Sequence, residues 1–149
     1  MKVLVLYDSV YGNTEKVAKA IGSVIGGDVR VLRLGEVGPS DLASLDLLVV
    51  GSPTQGGRAT PAIQEFLDRV PESAVKGINV AAFDTRFQTK LVKIFGYAAG
   101  RVANNFEDKG GRLVAPPEGF IVKGKEGPLK DGELERAAGW AKGILEKKK

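Results

Sequence analysis

Short apolar runs and helical patterns alternate along the whole chain, and that alternation limits the fold most tightly. Residues 2–7 read as a strand built on Val3-Leu4-Val5-Leu6-Tyr7, and residues 14–25 as a helix. Residues 28–34 alternate in polarity, as an edge strand with one solvated side does. Residues 46–51 (Asp46-Leu47-Leu48-Val49-Val50-Gly51) form a continuous apolar run, suited to a central parallel strand covered on both faces. Pro61 opens a helix with Ile63, Phe66, Leu67 and Val70 on one side. A fourth strand follows at 77–84, and a helix with Gly96 and Gly100 in it at 96–110. A fifth strand at 112–122 is interrupted by Pro116-Pro117. A last helix at 131–146 presents Leu134, Ala138, Ala141 and Leu145 as its apolar face. The pattern predicts one α/β domain over residues 1–149, an open parallel sheet with helices on both faces.

Composition removes whole classes of chemistry. The 149 residues include no cysteine and no histidine. Disulfides, thiol redox chemistry and Cys-ligated clusters or zinc are excluded, as are His-based triads and proton shuttles. Redox work by such a chain needs a bound organic cofactor. No apolar run approaches the ~20 residues of a membrane helix, and the N-terminal strand has no signal-peptide pattern. A cytoplasmic location without membrane contact is expected. The net charge is +4, and it is uneven: residues 1–75 hold seven bases and nine acids, residues 76–149 fifteen bases and nine acids. That basic half reads as a solvated surface, because no basic stripe interleaved with aromatics is present for nucleic acid.

The first strand runs into Asp8-Ser9-Val10-Tyr11-Gly12-Asn13-Thr14, and a helix begins at once. The N–H groups of a helix's first turn have no internal partners, and the helix dipole there favours an anion. A dianionic phosphate suits the place. Ser9 and Thr14 add hydroxyls, and Gly12 permits close backbone approach. The loop holds no Lys or Arg, so the site is expected to consist of neutral donors.

Tyr7-x-Ser9-x-x-Gly12-x-Thr14-x-x-x-Ala18 resembles the N-terminal FMN-phosphate signature of the flavodoxin family, with each fixed position filled. The resemblance covers essentially the whole chain. It implies a three-layer flavodoxin-like fold, a five-stranded parallel sheet of order 2-1-3-4-5, with the ligand at the carboxyl ends of the strands beside the switch point. It also implies that Ser9, Gly12, Asn13 and Thr14 hold an FMN phosphate, with Val10 and Tyr11 of the same loop also against the cofactor. The loop Ser52-Pro53-Thr54-Gln55-Gly56-Gly57-Arg58-Ala59-Thr60 would lie along the flavin ring, with Pro53, Thr54, Gln55, Gly56 and Gly57 in contact. A Gly56 or Gly57 carbonyl would turn toward flavin N5. The third loop, residues 84–90, would bring Asp84, Thr85, Arg86 and Phe87 to the ring. Phe87 reads either as a stacking residue or as a core residue under the loop.

The chain departs from the family in three ways. The 52–60 loop has no aromatic; the sole tryptophan, Trp140, falls in the last helix, where packing is the better reading; and the charge is basic where flavodoxins are acidic. Arg58, Arg86, Lys90 and Lys93 are therefore expected to make the lower reduction potential less negative than in acidic flavodoxins, and redox partner proteins to present acidic docking faces. A receiver domain needs an Asp at the end of the third strand, where Val50-Gly51-Ser52 stand, and neither a P-loop nor a dinucleotide fingerprint is present. The expected function is a monomeric FMN electron carrier with no metal site. An FMN-dependent NAD(P)H:quinone reductase and a flavin-free interaction domain are the alternatives.

Overall fold

The computed structural model describes residues 1–87 and 97–148. The elements run β1 (Lys2–Tyr7), α1 (Asn13–Ile25), β2 (Asp28–Arg33), β3 (Leu47–Pro53), α2 (Pro61–Arg69) and a short α3 (Glu72–Val75). Then come β4 (Asn79–Phe87), α4 (Ala98–Asp108), β5 (Arg112–Leu113), β6 (Glu118–Val122) and α5 (Glu133–Lys148). The strands pair in parallel in the order β2-β1-β3-β4-β5, with β6 also on β4. This is the expected flavodoxin-like order.

Side chains alternate across the central strands and so build two cores. Leu4, Leu6, Leu48, Val50, Val80 and Ala82 pack with Ile63 and Leu67 of α2 and with Val102 and Phe106 of α4. Val3, Val5, Tyr7, Leu47, Val49, Ala81 and Phe83 pack with Val17 and Ile21 of α1 and with Ala137, Ala141 and Ile144 of α5. A strand covered on both faces has no use for polar side chains, hence the continuous apolar run at 47–50. Pro61 occupies the first helical position of α2, and the Thr60 hydroxyl oxygen accepts the Ile63 N–H at 3.3 Å as its cap.

Two expectations are corrected. The fifth strand is not one segment over 112–122. β5 pairs with Asn79–Val80 and β6 with Phe83–Phe87, so two short strands divide the flank of β4. Pro116 and Pro117 have no N–H to give to a ladder, and the break falls on them. The buried face of α5 is also turned by one position. Ala137, Ala141 and Ile144 are buried, while Leu134 is 41% exposed. Trp140 sets this rotation, meeting Phe83 and Phe120 edge-on at centroid distances of 6.1 and 6.2 Å. The Phe83–Phe120 pair closes the trio at 6.1 Å. The beginning of the expected 96–110 helix, Gly96, lies outside the described residues.

Among the described residues no helix is long and apolar enough to cross a membrane. Phe83 is fully buried in the aromatic trio. Phe83→Ala is expected to lower stability by about 3–5 kcal/mol, read from urea unfolding.

Candidate functional site

The carboxyl ends of β1, β3 and β4 open onto a cleft of about 620 Å³, within the usual range for a small-molecule site. Its walls include Ser9, Val10, Tyr11, Asn13 and Thr14 from the first loop and helix start. Pro53, Thr54, Gln55, Gly56 and Gly57 come from the second loop, and Thr85 and Phe87 from the end of β4.

The first loop is held from behind. The Asp8 N–H continues the sheet ladder to the Gly51 carbonyl at 3.1 Å. One Asp8 carboxylate oxygen accepts the Ser9 N–H at 2.9 Å, and the other accepts the Thr60 hydroxyl at 2.6 Å. Arg33, at the end of β2, donates to the Ser9 carbonyl at 2.9 Å. The Ser9 hydroxyl oxygen accepts the Gly12 N–H at 3.0 Å, which leaves its own proton to donate. Gly12 precedes α1 in the left-handed region, and no side chain caps the helix. The first intrahelical bond runs from Lys16 N to Gly12 O, so the Asn13, Thr14 and Glu15 N–H groups come before the ladder starts. Asn13 and Thr14 are 7% and 1% exposed. The Thr14 and Thr85 hydroxyls share a hydrogen bond at 2.8 Å, joining the first wall to the third.

The second loop turns tightly. Gln55 and Arg58 exchange backbone bonds at 2.7 and 3.0 Å around Gly56 and Gly57, whose φ angles are +57° and +80°. Two successive positive φ values make a type I′ turn, which glycine adopts without strain. The Gly57 carbonyl accepts from Arg101 Nε at 2.7 Å, so of the two glycine carbonyls it is the one already held. Thr54 is anchored at both ends, its N–H on the Thr85 carbonyl at 2.9 Å and its hydroxyl oxygen accepting the Ala98 N–H at 3.0 Å.

Asp84 and Arg86 do not stand on the cleft wall, contrary to expectation. β4 runs on through Phe87, and strand alternation sends Thr85 and Phe87 to the cleft and Asp84 and Arg86 away from it. Arg86 grips the fully buried Asp84 with two bonds of 2.7 and 2.8 Å. The Ala99 N–H, in the first turn of α4, donates to the same carboxylate at 2.9 Å. The Arg86 guanidinium lies 3.3 Å from the centroid of Tyr97. Burial pushes the Asp84 carboxyl above its ordinary range, against the opposing pull of Arg86 and of the Ala99 and Thr54 bonds. The pair therefore fastens α4 to β4, and the Arg86 guanidinium is engaged with Asp84 and Tyr97 rather than lining the cleft. Lys90 and Lys93 lie outside the described residues, as do Gln88 and Thr89 of the expected third loop. Of the cations invoked for the reduction potential, Arg58 alone is described and free of this pairing.

Phe87 is 45% exposed on the cleft, so it is not a core residue. Val10 and Tyr11 are similarly exposed, at 52% and 49%, and apolar surface is thereby concentrated at the cleft mouth. Two lining residues were not anticipated, Val122 and Lys125, which come from the end of β6 and the loop after it. Only the packing of β6 beside β4 and of α5 beside α1 brings them here.

The family model for flavodoxin matches residues 5–140. The chain belongs to the flavodoxin family. It is 29% identical to flavodoxin 1 of Escherichia coli K12 over 131 residues, covering 85% of this chain and 74% of that one. A flavodoxin from the domain Archaea superposes with a TM-score of 0.84 at 26% identity, over 99% of both chains. An NAD(P)H dehydrogenase (quinone) of Cupriavidus metallidurans is 33% identical over 100 residues, 52% of this chain; the match spans only half of that relative. Flavodoxins bind FMN and serve electron transport, and the donor set described above fits a phosphate-bearing flavin.

Removal of the Arg86 guanidinium leaves a buried carboxylate without its partner. Arg86→Met is expected to cost about 3–5 kcal/mol at pH 7. Without Arg86 the folded-state pKa of Asp84 rises further, while the unfolded carboxyl titrates normally. Stability then falls as pH climbs between those two values, so the penalty is smaller near pH 4 than at pH 7. Urea unfolding across that range tests the sign.

Proposed function

We propose that this protein is a monomeric, cytoplasmic FMN electron carrier working between redox partner proteins. One observation carries the reading: a cleft with the Ser9 hydroxyl proton and the first-turn N–H groups of α1 at one end and apolar walls at the other. Ser9, Asn13, Thr14 and the first turn of α1 lie at the first end, and Tyr11, Phe87 and the glycine turn line the rest.

FMN, when bound, supplies the ring that accepts and gives up electrons. The chain does the remaining work. The Ser9 hydroxyl and the first-turn N–H groups would hold the phosphate, and the bonds to Asp8 and from Arg33 keep Ser9 in place without reorganisation. Tyr11 and Phe87 are the aromatics of the cleft, and they would pack against a bound ring and exclude water from it. Gly56, in the I′ turn, has the backbone freedom to turn its carbonyl toward a bound ring, where it would accept a hydrogen bond, while Arg101 holds Gly57 still.

The identity to a quinone dehydrogenase over half the chain favours reductase activity as the second reading. Steady-state NAD(P)H oxidation by the purified protein separates the two, with no turnover expected of a carrier. The excess of bases in residues 76–149 favours partners with an acidic docking face. Electron exchange with such a partner should slow as ionic strength rises.

Purified protein is expected to bind FMN tightly and riboflavin weakly. Ser9→Ala should weaken FMN binding by about 1–3 kcal/mol, the scale of a hydrogen bond to a charged group. Fluorescence titration measures both, and equal affinity for the two flavins would contradict the phosphate assignment.

A further inference from the structure

The first loop brings no cation of its own, and the paired cations beside it, Arg33 and Lys19, are already matched. Asp8 and Glu15 lie 3.9 and 3.8 Å from Arg33, and Glu15 also meets Lys19 at 3.3 Å. Two carboxylates and two cations thus satisfy one another, and none of these charges is left for an incoming anion. Lys125 is different. It lines the cleft together with Ser9, Asn13 and Thr14, it is exposed, and among the described residues no carboxylate pairs with it.

The backbone around Lys125 is fixed. Gly124-Lys125-Glu126-Gly127 is a β-turn closed by the Gly127 N–H on the Gly124 carbonyl at 3.0 Å. The arms of the turn are zipped by Lys123 N–H to the Pro128 carbonyl at 2.8 Å and Lys130 N–H to the Ile121 carbonyl at 2.9 Å. The turn is also fastened to the first loop, because Asn13 Nδ2 donates to the Glu126 carbonyl at 3.1 Å. Gly127 has φ +106°, and a Cβ there would lie 2.6 Å from Asn13 Nδ2, so the turn sits directly on that amide. At the base, Glu133 accepts the Ile121 N–H at 2.7 Å and is clasped by Arg136, whose bond holds the Glu133 carboxyl below its usual range.

We propose that Lys125 supplies the positive charge for the phosphomonoester at the first loop, which makes the β6–α5 turn a second wall of that subsite. The proposal rests on the FMN reading above and adds to it a residue that the loop signature does not contain. An ammonium group on a flexible stem suits a phosphate dianion as a point charge, whereas the neutral donors of the first loop give direction without charge. Placing the cation on a separate hairpin also links anion binding to the Asn13–Glu126 contact. An occupied site then holds the turn against α1.

The test is fluorescence titration of the apoprotein with FMN and with riboflavin, at low and high salt. Lys125→Gln is expected to weaken FMN binding about tenfold, to leave riboflavin within about twofold, and to flatten the salt dependence of FMN affinity. Lys125→Arg, which keeps the charge, should stay within about threefold of the parent protein for FMN. Equal losses for FMN and riboflavin in Lys125→Gln would mean a structural role, and unchanged FMN affinity would mean no role. Either result overturns the assignment of Lys125 while the parent protein's preference for FMN stands. A parent protein that binds both flavins equally, or neither, overturns the phosphate subsite and Lys125 with it.

Discussion

Everything at the cleft depends on β1 and β3 being buried on both faces. Residues 3–6 and 47–50 are almost wholly excluded from water, so polar chemistry on these strands has to wait for their ends. The ladder between them continues one residue past β1, through the Asp8 N–H to Gly51, and there the polar residues begin. Asp8 then works as a junction. Its carboxylate takes the Ser9 N–H and the Thr60 hydroxyl, so one side chain sets the first loop and the start of α2 relative to each other. A site assembled from separate loops is only as well ordered as such cross-links make it.

A second junction stands behind β4. Asp84, with no solvent exposure, binds Arg86 and the Ala99 N–H and so places the N-terminus of α4. Two neighbouring cleft contacts use the same region: Thr54 accepts from Ala98, and Arg101 of α4 holds the Gly57 carbonyl. The glycine turn is thus shaped by its own I′ geometry and braced by a helix whose start depends on a buried ion pair. Such a pair adds little net stability, and its value here is positional, since it lets one charged residue organise three elements.

The aromatic trio of Phe83, Phe120 and Trp140 does for the opposite face what Asp84 does for this one. It fixes the rotation of α5 against the sheet, and with it the origin of the turn that carries Lys125 to the cleft. Packing deep in the molecule therefore bears on charge at its mouth.

The sequence by itself determined the layer order, the strand–helix alternation, the first loop and the glycine-rich second loop, because each is a local pattern. Periodicity, a Pro at a helix start and a Gly-Gly pair all act over a few residues. It was less informative where meaning depends on which way a strand points its side chains. Residues 84–87 read as loop, and the pairing of β4 with β3 and β6 showed them to be strand, with Asp84 and Arg86 turned inward and Thr85 and Phe87 turned to the cleft. The proline pair at 116–117 was visible, but its division of one strand into two became apparent only from where each half pairs on β4. Lys125 was the least legible of all. It stands far along the chain from Ser9 and Asn13, and it lines the same cleft because α1 and α5 share one face of the sheet. Contacts of that range are decided by packing in three dimensions, and nothing in the residues beside Lys125 records them.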